Sequence, residues 1–300
     1  MKNLFAFLVI LLILPGLSSS LAHASNGEGR PDSIPGPDIR YAASLGTSAR
    51  ASFPEDPGGV QFHRWNSDLQ AFQPLGPAFF GIVNLRAERD FYDFPDSFGG
   101  PNVNVGNASR YSLGLNLQKF PIDRFGFFAL GVSGFAAEDQ ARLLDGFYAF
   151  GGAGINYRMT EDLVLGLGVA GIRNMRRNSS VFPLPFVWWR MTDNLLLQTR
   201  NGILLEYQQP KWNLTWETLY ESRDWALGPV GDQSKGAFQD RYITSGLRLN
   251  QTFASSWNIE VLAQGLFFRK TEIRGADRQK IDRREPRPTP YFELTAAYEF

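Results

Sequence analysis

Apolar and polar residues alternate at every second position over most of this chain. Tyr111, Leu113, Leu115 and Leu117 alternate with Ser112, Gly114, Asn116 and Gln118. Tyr41, Ala43, Leu45, Thr47, Ala49 and Ala51 oppose Arg40, Ser44, Ser48 and Arg50, and Phe79, Val83 and Leu85 oppose Asn84, Arg86 and Glu88. Leu163, Leu165, Leu167 and Val169 are set against Gly166, Gly168 and Ala170. Trp212, Leu214, Trp216 and Tyr220 face away from Asn213, Thr215, Glu217 and Glu221, and Ile259, Val261, Ala263 and Phe267 from Asn258, Glu260 and Gln264. Period two means a strand with one face in an apolar medium. Weaker segments fill the gaps: residues 60–72, interrupted by charge, the glycine-rich 125–137 and 146–157, and 241–252. Residues 182–191 carry Pro183 and Pro185, which predict an irregular or edge-like strand. Residues 195–199 and 203–207 flank Asn201-Gly202, a hairpin signal. In residues 291–300, Phe292, Leu294, Ala296, Tyr298 and Phe300 share one face.

The connections sort by length. Short turns at 120–123, 159–162, 191–194, 208–211 and 253–256 alternate with longer polar loops at 93–109, 138–145, 173–180, 224–239 and 273–290, once the Asn201-Gly202 turn is counted with the latter. Trp188, Trp189, Trp212, Trp257, Tyr157, Tyr207, Tyr298 and Phe300 lie at or near the short turns or the chain end. At the other end, Lys2 precedes an apolar run at 4–14, Pro15-Gly16 and the small-residue site Ala22-His23-Ala24. This is a secretory signal peptide, residues 1–24, with cleavage expected after Ala24. A Gly/Pro-rich flexible leader, 25–37, follows.

The terminal strand ending on Phe300 resembles the C-terminal assembly signal of bacterial outer-membrane β-barrel proteins. Phe292, Leu294, Tyr298 and Phe300 would be the residues read by the barrel assembly machinery. Loop asymmetry and aromatic girdles agree with that resemblance. The fold expected is all-β: a transmembrane antiparallel up-and-down barrel over residues 38–300, with twelve full strands plus a short hairpin, twelve or fourteen in total. Only a closed barrel leaves no open sheet edge in lipid. The resemblance implies the outer membrane as location, with membrane lipid and lipopolysaccharide as partners; self-association is compatible with it.

Composition narrows the chemistry. Cysteine is absent, which removes disulfides, thiol nucleophiles and Cys-metal sites. Near-neutral charge argues against a nucleic-acid partner. Beyond the signal peptide His63 is the only histidine, and His63-Arg64-Trp65-Asn66-Ser67 does not give a catalytic geometry. No catalytic residue, metal ligand or cofactor is assigned. Loop acids such as Asp90, Asp93 and Asp96 leave calcium open on unspecific spacing. Glu217 and Glu221 share a strand face, which leaves a membrane-embedded hydrolase as a lesser alternative. Residues 274–287, rich in Arg and poor in apolar residues, predict a mobile outer loop able to meet lipopolysaccharide phosphates.

Charge on the lipid side costs roughly 2–4 kcal/mol for Lys or Arg at the midplane. Arg40, Arg50, Arg86, Glu88, Glu206, Glu217, Arg248 and Glu260, opposite the apolar faces, should therefore line the lumen. They suit a passive channel or transporter for small solutes with a hydrated, constricted pore. The alternative is a structural or surface-binding barrel whose lumen they fill.

Overall fold

The computed structural model describes residues 37–300 apart from 55, 96–97, 99–104, 122–123, 174–178, 200–201, 230–234, 255 and 278. The expected signal peptide, and the leader up to residue 36, lie outside the described residues. Among the described residues sixteen strands follow in chain order. They are β1 (Asp38–Ser48), β2 (Ala51–Phe53), β3 (Asp56–Gly76), β4 (Phe79–Asp93), β5 (Ala108–Lys119), β6 (Phe125–Glu138), β7 (Phe147–Arg158) and β8 (Leu163–Arg173). Then come β9 (Ser180–Thr192), β10 (Leu195–Thr199), β11 (Gly202–Gln209), β12 (Trp212–Ala226), β13 (Ala237–Ala254), β14 (Trp257–Arg274), β15 (Lys280–Arg284) and β16 (Thr289–Glu299).

Fourteen of these form one antiparallel ring, because β1 pairs with both β16 and β3. Tyr41 stands opposite Tyr298 on one side and Leu69 on the other. The extra strands are short: β2 pairs with β3, and β15 with β14. The hairpin around residues 200–201 belongs to the ring, since β10 pairs with β9 and β11 with β12. At five and eight residues, β10 and β11 are shorter than the roughly 9–11 of a spanning strand. Residues 280–284, expected within a mobile loop, are instead the strand β15, with Thr271 opposite Arg284 and Glu272 opposite Arg283.

Alternation sorts the side chains as the sequence demands. Leu45, Val83, Leu113, Leu115, Ile155, Leu167, Val169, Leu247, Val261 and Leu294 point outward and are exposed. Ser44 and Asn116 beside them, and Arg64 and Asn66 on either side of the exposed Trp65, point inward and are buried. The charge that weakened residues 60–72 as a strand is thus turned inside, and β3 is the longest strand in the ring. At the short-turn end, outward aromatics pair across strands: Phe125 with Tyr157 at 5.1 Å, Tyr207 with Trp212 at 5.8 Å, and Trp257 with Tyr298 at 5.0 Å. Phe300 meets Tyr298 at 4.8 Å. Trp188 departs from this girdle: adjacent residues face opposite ways, so Trp189 is outside while Trp188 is buried inside with Val164 and Leu196.

The alternation breaks twice, each time moving an arginine. Between β1 and β2, Ala49 and Arg50 interrupt the strand, and beyond them Ala51 and Phe53 are buried inside. Arg50 therefore leaves the lumen-lining set; it is half exposed and ion-paired with Asp93. In β14 a bulge opposite Arg241 and Ile243 holds Phe268 at φ 51°. Phe267 and Phe268 both face outward, and Arg269 turns in with 1% exposure. A left-handed phenylalanine costs about 1–3 kcal/mol, comparable to the cost of placing an arginine on the outer face of a membrane strand.

With this outer belt in lipid, Leu115→Arg should lower the unfolding free energy in vesicles by roughly 2–4 kcal/mol. The neighbouring inner-face change Asn116→Ser should shift it far less. Urea unfolding of the two variants checks this, and equal shifts would contradict the face assignment.

Candidate functional site: a lumen with two unlike walls

Inward positions of β3, β4 and β12–β14 carry charge. Arg64 Nε donates to Asp90 Oδ1 at 2.7 Å, and Arg269 donates to both carboxylate oxygens of Asp240 at 3.0 and 2.8 Å. Arg223 of β12 reaches across the ring to Glu88 of β4. Tyr242 is the hub. Its hydroxyl accepts from Arg223 Nε at 3.1 Å and Arg64 Nη2 at 3.4 Å, and donates to Glu221 Oε2 at 3.1 Å. Lower in the ring, Arg248 grips both oxygens of Glu217 at 3.0 and 3.1 Å and also pairs with Glu260. Such pairs are tolerated inside a protein because each buried charge has a partner and hydrogen bonds.

Toward the long-loop end the network runs into an aromatic layer. Phe62 lies between two guanidinium groups, with Arg64 at 4.9 Å and Arg269 at 5.1 Å from its ring centre. Tyr92 packs edge-on against Trp225 at 5.4 Å and Phe238 at 5.2 Å, and Phe94 stacks on Phe98 at 4.5 Å. Toward the short turns, a cavity of about 90 Å³ opens among Arg40, Ser44, Arg86, Glu217, Arg248 and Glu293.

The opposite wall, β6–β9, is apolar inside. Phe128, Ala170 and Leu184 form a buried cluster with Leu130, Phe150, Phe182 and Phe186 packed around it. Glycine makes room there: a Cβ at Gly154 or Gly168 would come within 2.5 or 2.8 Å of Phe128 Cζ, so the ring lies directly on the wall. Within this wall sits Asn156, fully buried, with neither amide atom hydrogen-bonded among the described residues.

Seven of the eight expected lumen residues are therefore inside. Arg40, Arg86, Glu217, Arg248 and Glu260 line the cavity, Glu88 is in the cross-ring network, and Glu206 stands apart, accepting from Asn213 and Gln208. Arg50 is the exception described above. Arg64, Asp90, Arg223, Asp240, Tyr242 and Arg269 were missed. Parity could have found Asp90 and Arg223, which continue the inward registers of Glu88 and Glu221; only the bulge gives Arg269.

Asp90, considered as a loop calcium ligand, is instead 1% exposed beside Arg64; Asp93 pairs with Arg50, and Asp96 lies outside the described residues. Glu217 and Glu221 are each held by an arginine, which leaves neither as a free acid or base. His63 faces outward, with Nδ1 at 2.9 Å from Thr47 Oγ1.

No family model and no curated protein matches the sequence. Solved structures are similar in chain trace. An outer membrane channel from Pseudomonas putida F1 aligns at TM-score 0.49 and 9% identity, over 91% of this chain and 98% of that one. A Pseudomonas aeruginosa FadL homologue gives 0.45 and 11%, over 91% and 93%. The KdgM porin gives 0.40 and 7%, over 87% and 99%.

Removing one partner of the most buried pair should strand the other. Asp240→Asn is expected to cost roughly 3–5 kcal/mol in urea unfolding, whereas the double change Asp240→Leu with Arg269→Met should recover most of that loss. A double variant no better than the single one would show that the pair does not act as a unit.

Proposed function

We propose that this chain is an outer-membrane β-barrel that passes small solutes through a lumen kept narrow by ion pairs. The supporting observation is the cavity beside the Glu217–Arg248–Glu260 cluster, in contact with the charged wall. About 90 Å³ admits several waters, at some 10–15 Å³ each. Fixed charges of both signs around a hydrated constriction discriminate by size and charge. The short turns and both ends of the described chain are assigned to the periplasmic side, and the long loops to the outside. Phe292, Leu294, Tyr298 and Phe300, all on the outer face, are proposed as the strand read by the assembly machinery. Two of the three basic residues of β15 pair locally, Arg284 with Asp282 and Arg283 with Glu285, so no lipopolysaccharide site is proposed.

A second reading has its own observation. Arg223 meets Glu88 across the ring, below the aromatic layer. A barrel permanently closed there would be structural, or act through its outer surface.

Planar bilayers separate the two. The intact protein should show small, steady conductance, and replacing both partners, Glu88→Gln with Arg223→Gln, should enlarge it. Silence from both proteins, each correctly folded by heat-modifiable gel migration, would favour the closed barrel.

A further inference from the structure

The ring has an incomplete wall. The β9–β10 ladder ends at Trp188 opposite Gln198, and the β11–β12 ladder at Gly202 opposite Leu219. Yet β9 continues to Ser180 and β12 to Ala226. Above the β10–β11 hairpin, among the described residues, no strand pairs with β9 on the side away from β8. The far end of β12 meets β6 instead, at Ala226 opposite Ala137, and Gly228 N–H donates to Glu138 at 3.0 Å. Strands β7–β11 are thereby bypassed at the long-loop end, which leaves a notch between β9 and β12.

The free edge of β9 is made to stay unpaired. In an antiparallel ladder both backbone groups of a residue point to one neighbour, and successive residues alternate. Val187 N–H points toward β10, donating to Thr199 Oγ1 at 2.8 Å. The next residues aimed the same way are Pro185 and Pro183, which have no N–H to leave unsatisfied. An unpaired donor would be costly in lipid, and proline also blocks zipping to another strand.

The notch lies at membrane depth. Residues 187 to 181 stand two to eight positions above Trp189 of the aromatic girdle. Strands tilted about 35–45° climb roughly 2.5 Å per residue, so this edge falls within the ~25 Å apolar band. Behind it is the apolar wall: Phe182, Leu184 and Phe186 face inward along the same strand, Phe150 stacks on Phe182 at 6.3 Å, and Asn156 is the orphaned polar group.

We propose that the notch between β9 and β12 is a lateral portal, through which apolar molecules carrying a single polar group pass between the apolar half of the lumen and the membrane core. Asn156 is the group that would hydrogen-bond the polar end. The proposal rests on the channel reading and names its substrate class.

Two measurements test it. In an unbroken wall an inward residue never touches lipid. A fluorophore on Phe182→Cys, in this otherwise cysteine-free chain, should be quenched by brominated phospholipid nearly as strongly as one on the outward Val181→Cys, while one on the inward Asn116→Cys should not. Quenching at Val181 alone would overturn the portal. In proteoliposomes, 1-naphthol, a ring system with one hydroxyl, should equilibrate faster with the protein present. Lengthening the β10–β11 hairpin to the height of Ser180, with Pro183→Thr and Pro185→Val to allow pairing, should abolish that acceleration but keep ion conductance. Unchanged naphthol flux in the folded, lengthened variant would overturn the portal and leave the channel reading intact. If the unaltered protein shows neither conductance nor naphthol flux, the channel reading fails first.

Discussion

Closure of the backbone ladder is the constraint on which everything else in this molecule depends. Water is absent from the core of a bilayer, so each strand must find its hydrogen-bond partners in a neighbouring strand. The chain meets that requirement by bringing its first strand back between β3 and β16. A ring closed this way fixes which side of each strand is outside. Leu45, Leu115 and Val261 then have only the apolar side to occupy, and Ser44, Asn116 and Leu262 only the lumen. Among the described residues, the edge of β9 that stays unpaired beyond Trp188 is also where the sequence supplies two residues without a donor, Pro183 and Pro185.

The lumen inherits an asymmetry from the same rule. Strands β3, β4 and β12–β14 carry charged inward residues and are long; β7–β10 carry glycine and aromatic ones and are short. Long strands give the charged side enough height to stack a network beneath an aromatic layer, with Tyr242 accepting from two arginines and donating to Glu221. The short strands carry apolar rings on their inner face instead. One barrel thus presents a polar and an apolar environment side by side.

Most of the architecture was legible because period two is a strong signal when one face meets lipid. All fourteen ring strands correspond to segments visible in the sequence, including 182–191 with its two prolines and the short pair around residues 200–201. The closure of that pair into the ring was not legible, since five residues do not announce what they pair with. Inward-facing residues follow the pattern where alternation is unbroken, as at Glu217 and Glu260. They were misread where it resets: at Ala49–Arg50, which turns Arg50 toward the exposed Asp93, and at Phe268, which turns Arg269 in. A bulge moves one residue past its partner strand, and nothing in the local pattern of 257–274 reveals it. Trp188 and Trp189 show a milder case, where clustering suggested a shared girdle and parity put only one of them there.

Spin labels on two adjacent residues would test the central claim, that one closed ring sorts this chain into a lipid face and a watered lumen. Ser44 lines the cavity and Leu45 lies on the outer belt. In vesicles, a label on Leu45→Cys should collide with membrane-dissolved oxygen and be shielded from a water-soluble nickel chelate. A label on Ser44→Cys should show the reverse preference. The same accessibility pattern at both positions would contradict the account.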